Sequence, residues 1–329
     1  MIAPQPSTLF IQLTTECNYR CRYCHMWTLK DASDGLTTQE KIDLVTEFHA
    51  LNPVGQVVLT GGETMMKTSE FFLLTRQCRQ LGLRSAANTN GSYIEPAGYS
   101  ALLRDGPDYL VVSLDSHIAA LHDYNRGVSG SLAATMSTIT GLLEARLELS
   151  PPSPVEIITN SVLSGDTIEE LFHLLAFVTE LGVDGATLQV LSPTFHLKGG
   201  RDVFYDRHFF KDPVRAVAIL GDLRKRLGEF PVLRASDTDL HWMQRYIARP
   251  EILEEPVCNS HERNIMVDHR GDVQLCFDMR QIFNGEAVGN VRSSSISTLW
   301  ASDRAAAARE IMQACRRSCG MLNCHRRPT

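Results

Sequence analysis

An α/β fold built on a parallel sheet is predicted by three observations. Short apolar runs alternate with amphipathic stretches from the N-terminus to about residue 191. Helix start and stop signals punctuate that alternation. Clusters of glycine and small polar residues recur at the ends of the apolar runs.

The elements follow in order. Strands are predicted over Leu9–Thr14, Gln56–Thr60, Arg84–Thr89, Tyr109–Leu114, Val155–Val162 and Ala186–Leu191. Between them lie predicted helices over Thr38–Leu51, Ser69–Leu81, Pro96–Arg104, Ser131–Leu147 and Thr167–Leu181. Thr37 or Thr38 with Glu40 marks a helix start, and Gly82 and Gly182 mark stops. Each crossover helix returns the chain to the same end of the sheet, which makes the strands parallel. Six such units predict a partial (β/α)6 barrel over residues 1–195. Residues 196–255 then read as a linker with helices at Pro213–Leu227 and Asp237–Ala248. Residues 256–329 hold five of the nine cysteines and a hairpin turning at His269-Arg270-Gly271-Asp272, so a small separate domain is expected there.

Composition narrows the function classes. The net charge of −6 argues against nucleic acid as the main partner. No apolar run is long enough to span a membrane, and Met1 to Pro6 lacks the basic and apolar parts of an export signal. Cysteines in a chain without such a signal point to metal binding in the cytoplasm and away from disulfides.

The sharpest motif is Cys17-Asn18-Tyr19-Arg20-Cys21-Arg22-Tyr23-Cys24, directly after the first strand. Three thiolates on one short loop can hold three irons of a [4Fe–4S] cluster, leaving the fourth iron open for chemistry. A zinc site with His25 as fourth ligand is the alternative. Gly61-Gly62-Glu63, Asn88-Thr89-Asn90-Gly91, Ser113-Leu114-Asp115 and Asn160-Ser161 also fall at strand C-termini. That end of an α/β barrel carries its active site.

Over residues 8 to 191 these motifs together resemble the radical S-adenosylmethionine (SAM) family. The loop fits the family form CxxxCxΦC with Tyr23 as the aromatic, and Thr60-Gly61-Gly62-Glu63 is similar to its GGE motif. Thr64 stands where the family usually has proline. The resemblance implies a TIM-like partial barrel in which Cys17, Cys21 and Cys24 bind the cluster and the open iron chelates the methionine end of SAM. One electron then releases a 5′-deoxyadenosyl radical, so a low-potential donor such as a flavodoxin is expected. Glu63 would accept from the methionine ammonium, with Gly61 and Gly62 allowing close backbone approach. Tyr23 and Asn90 belong to the same implied cofactor site. Ser113 would take the carboxylate or ribose, Asn160 and Ser161 the ribose, and Asp115 the ribose edge or substrate. Arg126, in His122-Asp123-Tyr124-Asn125-Arg126-Gly127, would pair with the SAM carboxylate.

Cys258, Gly271 and Cys276 resemble the opening of the SPASM and twitch auxiliary-cluster domains, with Cys315, Cys319 and Cys324 to complete it. One auxiliary [4Fe–4S] cluster takes at most four of the five cysteines, with Cys258 and Cys276 the safest ligands. The spare, one of Cys315, Cys319 and Cys324, is a candidate hydrogen donor to a substrate radical. Zinc bound with His325 is the other reading of this end. The resemblance implies an oxidoreductase or epimerase that takes hydrogen from a small hydroxylated metabolite (a sugar, aminocyclitol or nucleoside in natural-product biosynthesis). About eight residues precede the first strand, too few for a leader-binding domain, which places a peptide-modifying maturase second. A non-catalytic iron–sulfur or zinc protein is the remaining alternative.

Overall fold

The computed structural model describes residues 3–29, 34–193, 202–251, 258–279, 283, 285–317 and 319–320. Among these, nine strands form one sheet in the order β6-β5-β4-β3-β2-β1-β7-β8-β9. Strands β1 (Thr8–Thr14), β2 (Gln56–Gly61), β3 (Arg84–Thr89), β4 (Tyr109–Ser113), β5 (Glu156–Leu163) and β6 (Gly185–Val190) are all parallel. The predicted α/β fold with a parallel sheet is therefore observed.

The helices between them are α1 (Thr38–Leu51), α2 (Thr68–Leu81), α3 (Tyr99–Asp105), α4 (Ala119–Arg126), α5 (Ser131–Leu147) and α6 (Leu171–Leu181). Helix α1 starts on a capping box in which the Thr37 hydroxyl accepts from the Glu40 N–H and the Glu40 carboxylate accepts from the Thr37 N–H. The expected helix at Pro96 opens instead as a 3-10 turn, Pro96–Gly98, before α3. Helix α6 is preceded in the same way by Ile168–Glu170. The sequence pattern did not predict α4, because eight residues give too few turns for a periodic signal.

Alternation sorts the strand residues into two faces. Leu9, Ile11, Val57, Leu59, Ala87, Leu110, Val112 and Ile157 pack with Val45, Phe48, Phe71, Leu74, Leu102 and Ile139 of the helices in one core. Their neighbours Phe10, Val58, Ala86, Val111 and Ile158 take the other, concave face. Ala86 and Ile158 are buried but belong to neither helix-packed core, as an inward face requires.

After β6 come α7 (Val203–His208), α8 (Pro213–Lys225) and α9 (Asp237–Ala248), of which α8 and α9 form a second core with Leu163, Leu188 and Val190. The chain then returns through α10 (Ser260–Arg263) to β7 (Asn264–Val267), which pairs in parallel with β1. Strands β8 (Asp272–Gln274) and β9 (Gly289–Asn290) extend the edge antiparallel, with the expected turn between β7 and β8. Pairing with β7 covers what would be an open edge of the six-stranded unit. Helices α11 (Ile296–Trp300) and α12 (Asp303–Gln313) close the described chain. The Trp300 indole donates to the Pro4 carbonyl at 2.6 Å, and Arg292 forks onto Glu40 at 2.6 and 3.1 Å. These contacts tie the C-terminal segment to the start of the barrel. No helix among the described residues is long and apolar enough to cross a membrane.

Candidate metal centre and its surroundings

Cys17, Cys21 and Cys24 leave the C-terminal end of β1 on a loop that is clamped from two sides. Below it, the Gly62 N–H donates to the Thr14 carbonyl at 2.7 Å and the Glu63 N–H to the Glu16 carbonyl at 2.8 Å. A Cβ on Gly62 would stand 1.9 Å from the Glu16 carbonyl oxygen, and one on Gly61, at φ 131°, 2.3 Å from that of Thr14. Glycine is thus dictated here by the contact between the two loops. Beside it, the Arg20 and Arg22 N–H groups donate to the carbonyls of Arg126 and Asn125, at 3.3 and 2.9 Å.

Each of the three sulfurs faces one N–H donor. The Tyr19 N–H points at Cys17 Sγ and the Met26 N–H at Cys24 Sγ, both at 3.4 Å, and Arg126 Nη1 lies 4.0 Å from Cys21 Sγ. Donors aimed at sulfur favour thiolates. Burial works against that charge, pushing the Cys17 thiol up to about 11 and that of Cys24 to about 12. Cys21 is also raised by burial, while Arg126 pulls it down and Asp115 pushes it up. The loop therefore calls for a cationic partner to hold three thiolates, and iron fits that demand. Among the described residues, no group of three or more His, Cys, Asp and Glu side chains is placed to hold a single metal ion. Thiolates bound to separate irons of one cluster need not converge on a point.

Glu63 is buried beside the loop. Its carboxylate accepts from Thr89 Oγ1 at 2.7 Å, the Met65 N–H at 3.0 Å and the Asn90 N–H at 2.8 Å. Burial raises its carboxyl and the hydrogen bonds oppose that rise. Asn90 in turn donates to Asn18 Oδ1 at 2.9 Å, so the third strand also braces the cysteine loop. Thr64 donates to the Asn88 carbonyl at 2.7 Å, a bond that proline at this place could not make.

Asp115, Arg126 and Tyr23 form one buried group. Asp115 Oδ1 accepts from Arg126 Nη2 at 2.9 Å and from the Val162 N–H at 3.1 Å, and Oδ2 accepts from the Tyr23 hydroxyl at 2.7 Å. Arg126 Nε is buried without a hydrogen-bond partner. His122 accepts from the Asp115 N–H at 3.3 Å, and burial with Arg126 nearby lowers its pKa to about 4, so it is neutral at pH 7.

Register separates the remaining candidates. Ser113 pairs with Asn160, and Asn160 with Thr187, which places all three on the concave face. Ser161 turns the other way and donates to the Leu114 carbonyl at 2.5 Å. Ser161→Ala is expected to cost about 1–3 kcal/mol by leaving that carbonyl unpaired, with SAM affinity unchanged. Asn160→Ala is expected to show the reverse: near-normal stability and weaker SAM binding. Urea unfolding and equilibrium dialysis of the reconstituted protein would check both.

Sequence reasoning missed a rim cluster drawn from three separate segments. The Tyr124 hydroxyl lies 3.1 Å from His208 Nε2, and His208 Nδ1 pairs with Asp166. Phe204 stacks on His208 at 4.3 Å and sits 6.2 Å from the Tyr23 ring. No local pattern joins these residues. Gln189 is exposed on the concave face, His117 lies against Phe177, and His196 falls outside the described residues.

At the other end, Cys258, Cys276 and Cys319 lie close enough that the charges of Cys258 and Cys319 both raise the Cys276 thiol, after the larger effects of burial and Asp278. The Ser260 N–H points at Cys258 Sγ at 3.4 Å. Cys315 follows the end of α12 and is partly exposed. Cys324 and His325 lie outside the described residues. Cys78 is buried in α2 within the main core, away from both groups of cysteines.

A parallel α/β sheet with a three-thiol loop at a strand C-terminus, and a second cysteine group near its edge, defines an iron–sulfur protein of the barrel class. The family comparison agrees. The chain matches the Radical SAM superfamily over residues 11–178, about half its length, and an iron–sulfur cluster-binding domain, SPASM, over residues 258–325. It belongs to the radical SAM superfamily. Membership carries [4Fe–4S] clusters and SAM as cofactors.

Among relatives, the chain is 28% identical over 185 residues to an AdoMet-dependent heme synthase of Oleidesulfovibrio alaskensis, covering 56% of this chain and 45% of that one. It is 30% identical over 187 residues to a probable GTP 3′,8-cyclase of Sulfurisphaera tokodaii, covering 56% of each. The chain thus spans about half the length of these curated relatives. The structure of Streptococcus suis SuiB bound to S-adenosylmethionine superposes with a TM-score of 0.72 at 17% identity, covering 97% of this chain and 73% of that one. That likeness is one of fold.

Proposed function

We propose that the protein uses SAM to take a hydrogen atom from a C–H bond of a small, uncharged, hydroxylated substrate, leading to oxidation or epimerisation. The observation that carries the substrate class is the concave face. Toward the C-termini of the strands this face carries Thr60, Asn88, Ser113, Asn160, Thr187 and Gln189, amides and hydroxyls without charge, in a row interrupted by the apolar Val111 that stands opposite Asn88. Such a row offers both donors and acceptors to hydroxyl groups and no counter-ion to a polycarboxylate.

When bound, the cluster and SAM supply a 5′-deoxyadenosyl radical. The chain's own residues position that chemistry. Cys17, Cys21 and Cys24 would hold three irons. Glu63 Oε2, which accepts the Asn90 N–H, has remaining acceptor capacity for the methionine ammonium. The partnerless Arg126 Nε, beside Cys21, is a donor suited to the methionine carboxylate. Ser113 and Asn160, paired on the concave face, would take the ribose. Cys258, Cys276 and Cys319 would hold the auxiliary cluster, with Cys315 or Cys324 as fourth ligand. A low-potential protein such as a flavodoxin would supply the electron in the cytoplasm.

Relatives named a heme synthase and a GTP cyclase work on unlike molecules, so they do not choose a substrate for this chain. The test is substrate-stimulated release of 5′-deoxyadenosine from the reduced protein. Stimulation by neutral hydroxylated metabolites is expected. Stimulation by precursor peptides or tetrapyrroles, with none by such metabolites, would overturn the reading.

A further inference from the structure

We propose that Arg126 and Asp115 form an opposed charge pair that sets the reduction potential of the cluster held by Cys21. This rests on the cluster reading above. The pair is sealed from water, with the Arg126 side chain 7% and that of Asp115 0% exposed. Arg126 reaches in two directions, placing Nη1 4.0 Å from Cys21 Sγ and Nη2 2.9 Å from Asp115 Oδ1. The cation thus touches the ligand sulfur and the anion stands one layer behind it.

Asp115 cannot drift from that place. It is held by the Val162 N–H of β5 and by the hydroxyl of Tyr23, which lies between Cys21 and Cys24 in the loop. The Arg126 guanidinium also lies 5.6 Å from the Tyr23 ring centre. The fixed partners keep the order of charges: sulfur, cation, anion.

Reduction adds negative charge to a cluster, and cluster potentials respond to nearby charge and to hydrogen bonds at sulfur. A buried cation at Cys21 favours the reduced form and raises the potential. The buried carboxylate behind it opposes that effect and brings the potential down. Well-packed apolar side chains could fill the same space without loss of stability. They could not put a charge on a ligand sulfur.

The test is an EPR-monitored redox titration of the full chain, reconstituted anaerobically. The signal followed is the one that Cys21→Ala removes, which separates this cluster from the auxiliary one without relying on SAM, a proposed partner of Arg126. Asp115→Asn is expected to move the midpoint to less negative values and Arg126→Gln to more negative values. Arg126→Lys, which keeps the charge, is expected to stay nearer the wild type than Arg126→Gln. If Arg126→Gln fails to hold a cluster, the directions for Asp115→Asn and Arg126→Lys still decide. Midpoints that ignore the substitutions, or that all move the same way as general loosening of the loop would cause, overturn this inference alone. A wild-type protein with no signal that Cys21→Ala removes overturns the cluster reading, and this inference with it.

Discussion

Gly62→Ala is expected to abolish iron loading at the Cys17–Cys24 loop and to destabilise the chain. The added Cβ would meet the Glu16 carbonyl oxygen at 1.9 Å and its carbon at 2.6 Å. Both are backbone atoms, so no side chain can swing away to relieve the clash. The two loops must separate, and that breaks the bonds from Gly62 N–H to Thr14 and from Glu63 N–H to Glu16. Overpacking costs about 1–3 kcal/mol, and each lost hydrogen bond about 1 kcal/mol more. The larger effect is functional, because Glu16 immediately precedes Cys17. Gly98→Ala is the control: a Cβ there meets nothing within 4 Å and its φ of −89° suits alanine. Iron analysis and urea unfolding of both variants, with Gly98→Ala near normal in each, check the expectation.

Cys21→Ala is expected to remove one cluster's share of iron and all release of 5′-deoxyadenosine, while the auxiliary share remains. Cys21 is central to the loop: it neighbours Tyr23, lies under the Arg126 guanidinium, and its carbonyl accepts the Cys24 N–H at 3.1 Å and the Trp27 indole at 3.3 Å. Loss of its sulfur leaves two thiolates, too few to hold a cluster with a single open iron. Cys78→Ala supplies the contrast. Cys78 is fully buried in the main core, so its loss costs packing energy but should leave iron content and SAM cleavage intact. Iron and sulfide assays, together with chromatography of the nucleoside product, distinguish the two outcomes.

Much of the fold was legible because its signals are local. Helix α1 and helix α5 match their predicted limits, and the strands differ from theirs by a residue or so at the ends. The Thr37 capping box and the glycines that end α2 and α6 are short-range devices, readable from a few neighbouring residues. The pairing of β7 with β1 was not legible, since it joins residues some 250 positions apart through backbone bonds that leave no side-chain pattern.

The site divides in the same way. The spacing of Cys17, Cys21 and Cys24 announces itself, whereas the expectation that Asn160 and Ser161 share the ribose overlooked the strand alternation that turns Ser161 to the Leu114 carbonyl. What the loop residues bind to was hidden. Glu63 turns out to be gripped by Thr89, Asn90 and Met65, and Asp115 by Arg126 and Tyr23. The rim contact of Tyr124, His208 and Asp166 depends on two helices, α4 and α7, meeting the turn after β5. Only folding brings such groups together.

The most direct measurement is release of 5′-deoxyadenosine by the anaerobically reconstituted chain under a strong reductant. Membership of the radical SAM superfamily, with three thiols facing N–H donors on one loop, predicts SAM-derived 5′-deoxyadenosine from the wild type and none from Cys21→Ala. A chain that takes up zinc in place of iron, or that holds iron yet leaves SAM intact, would contradict it.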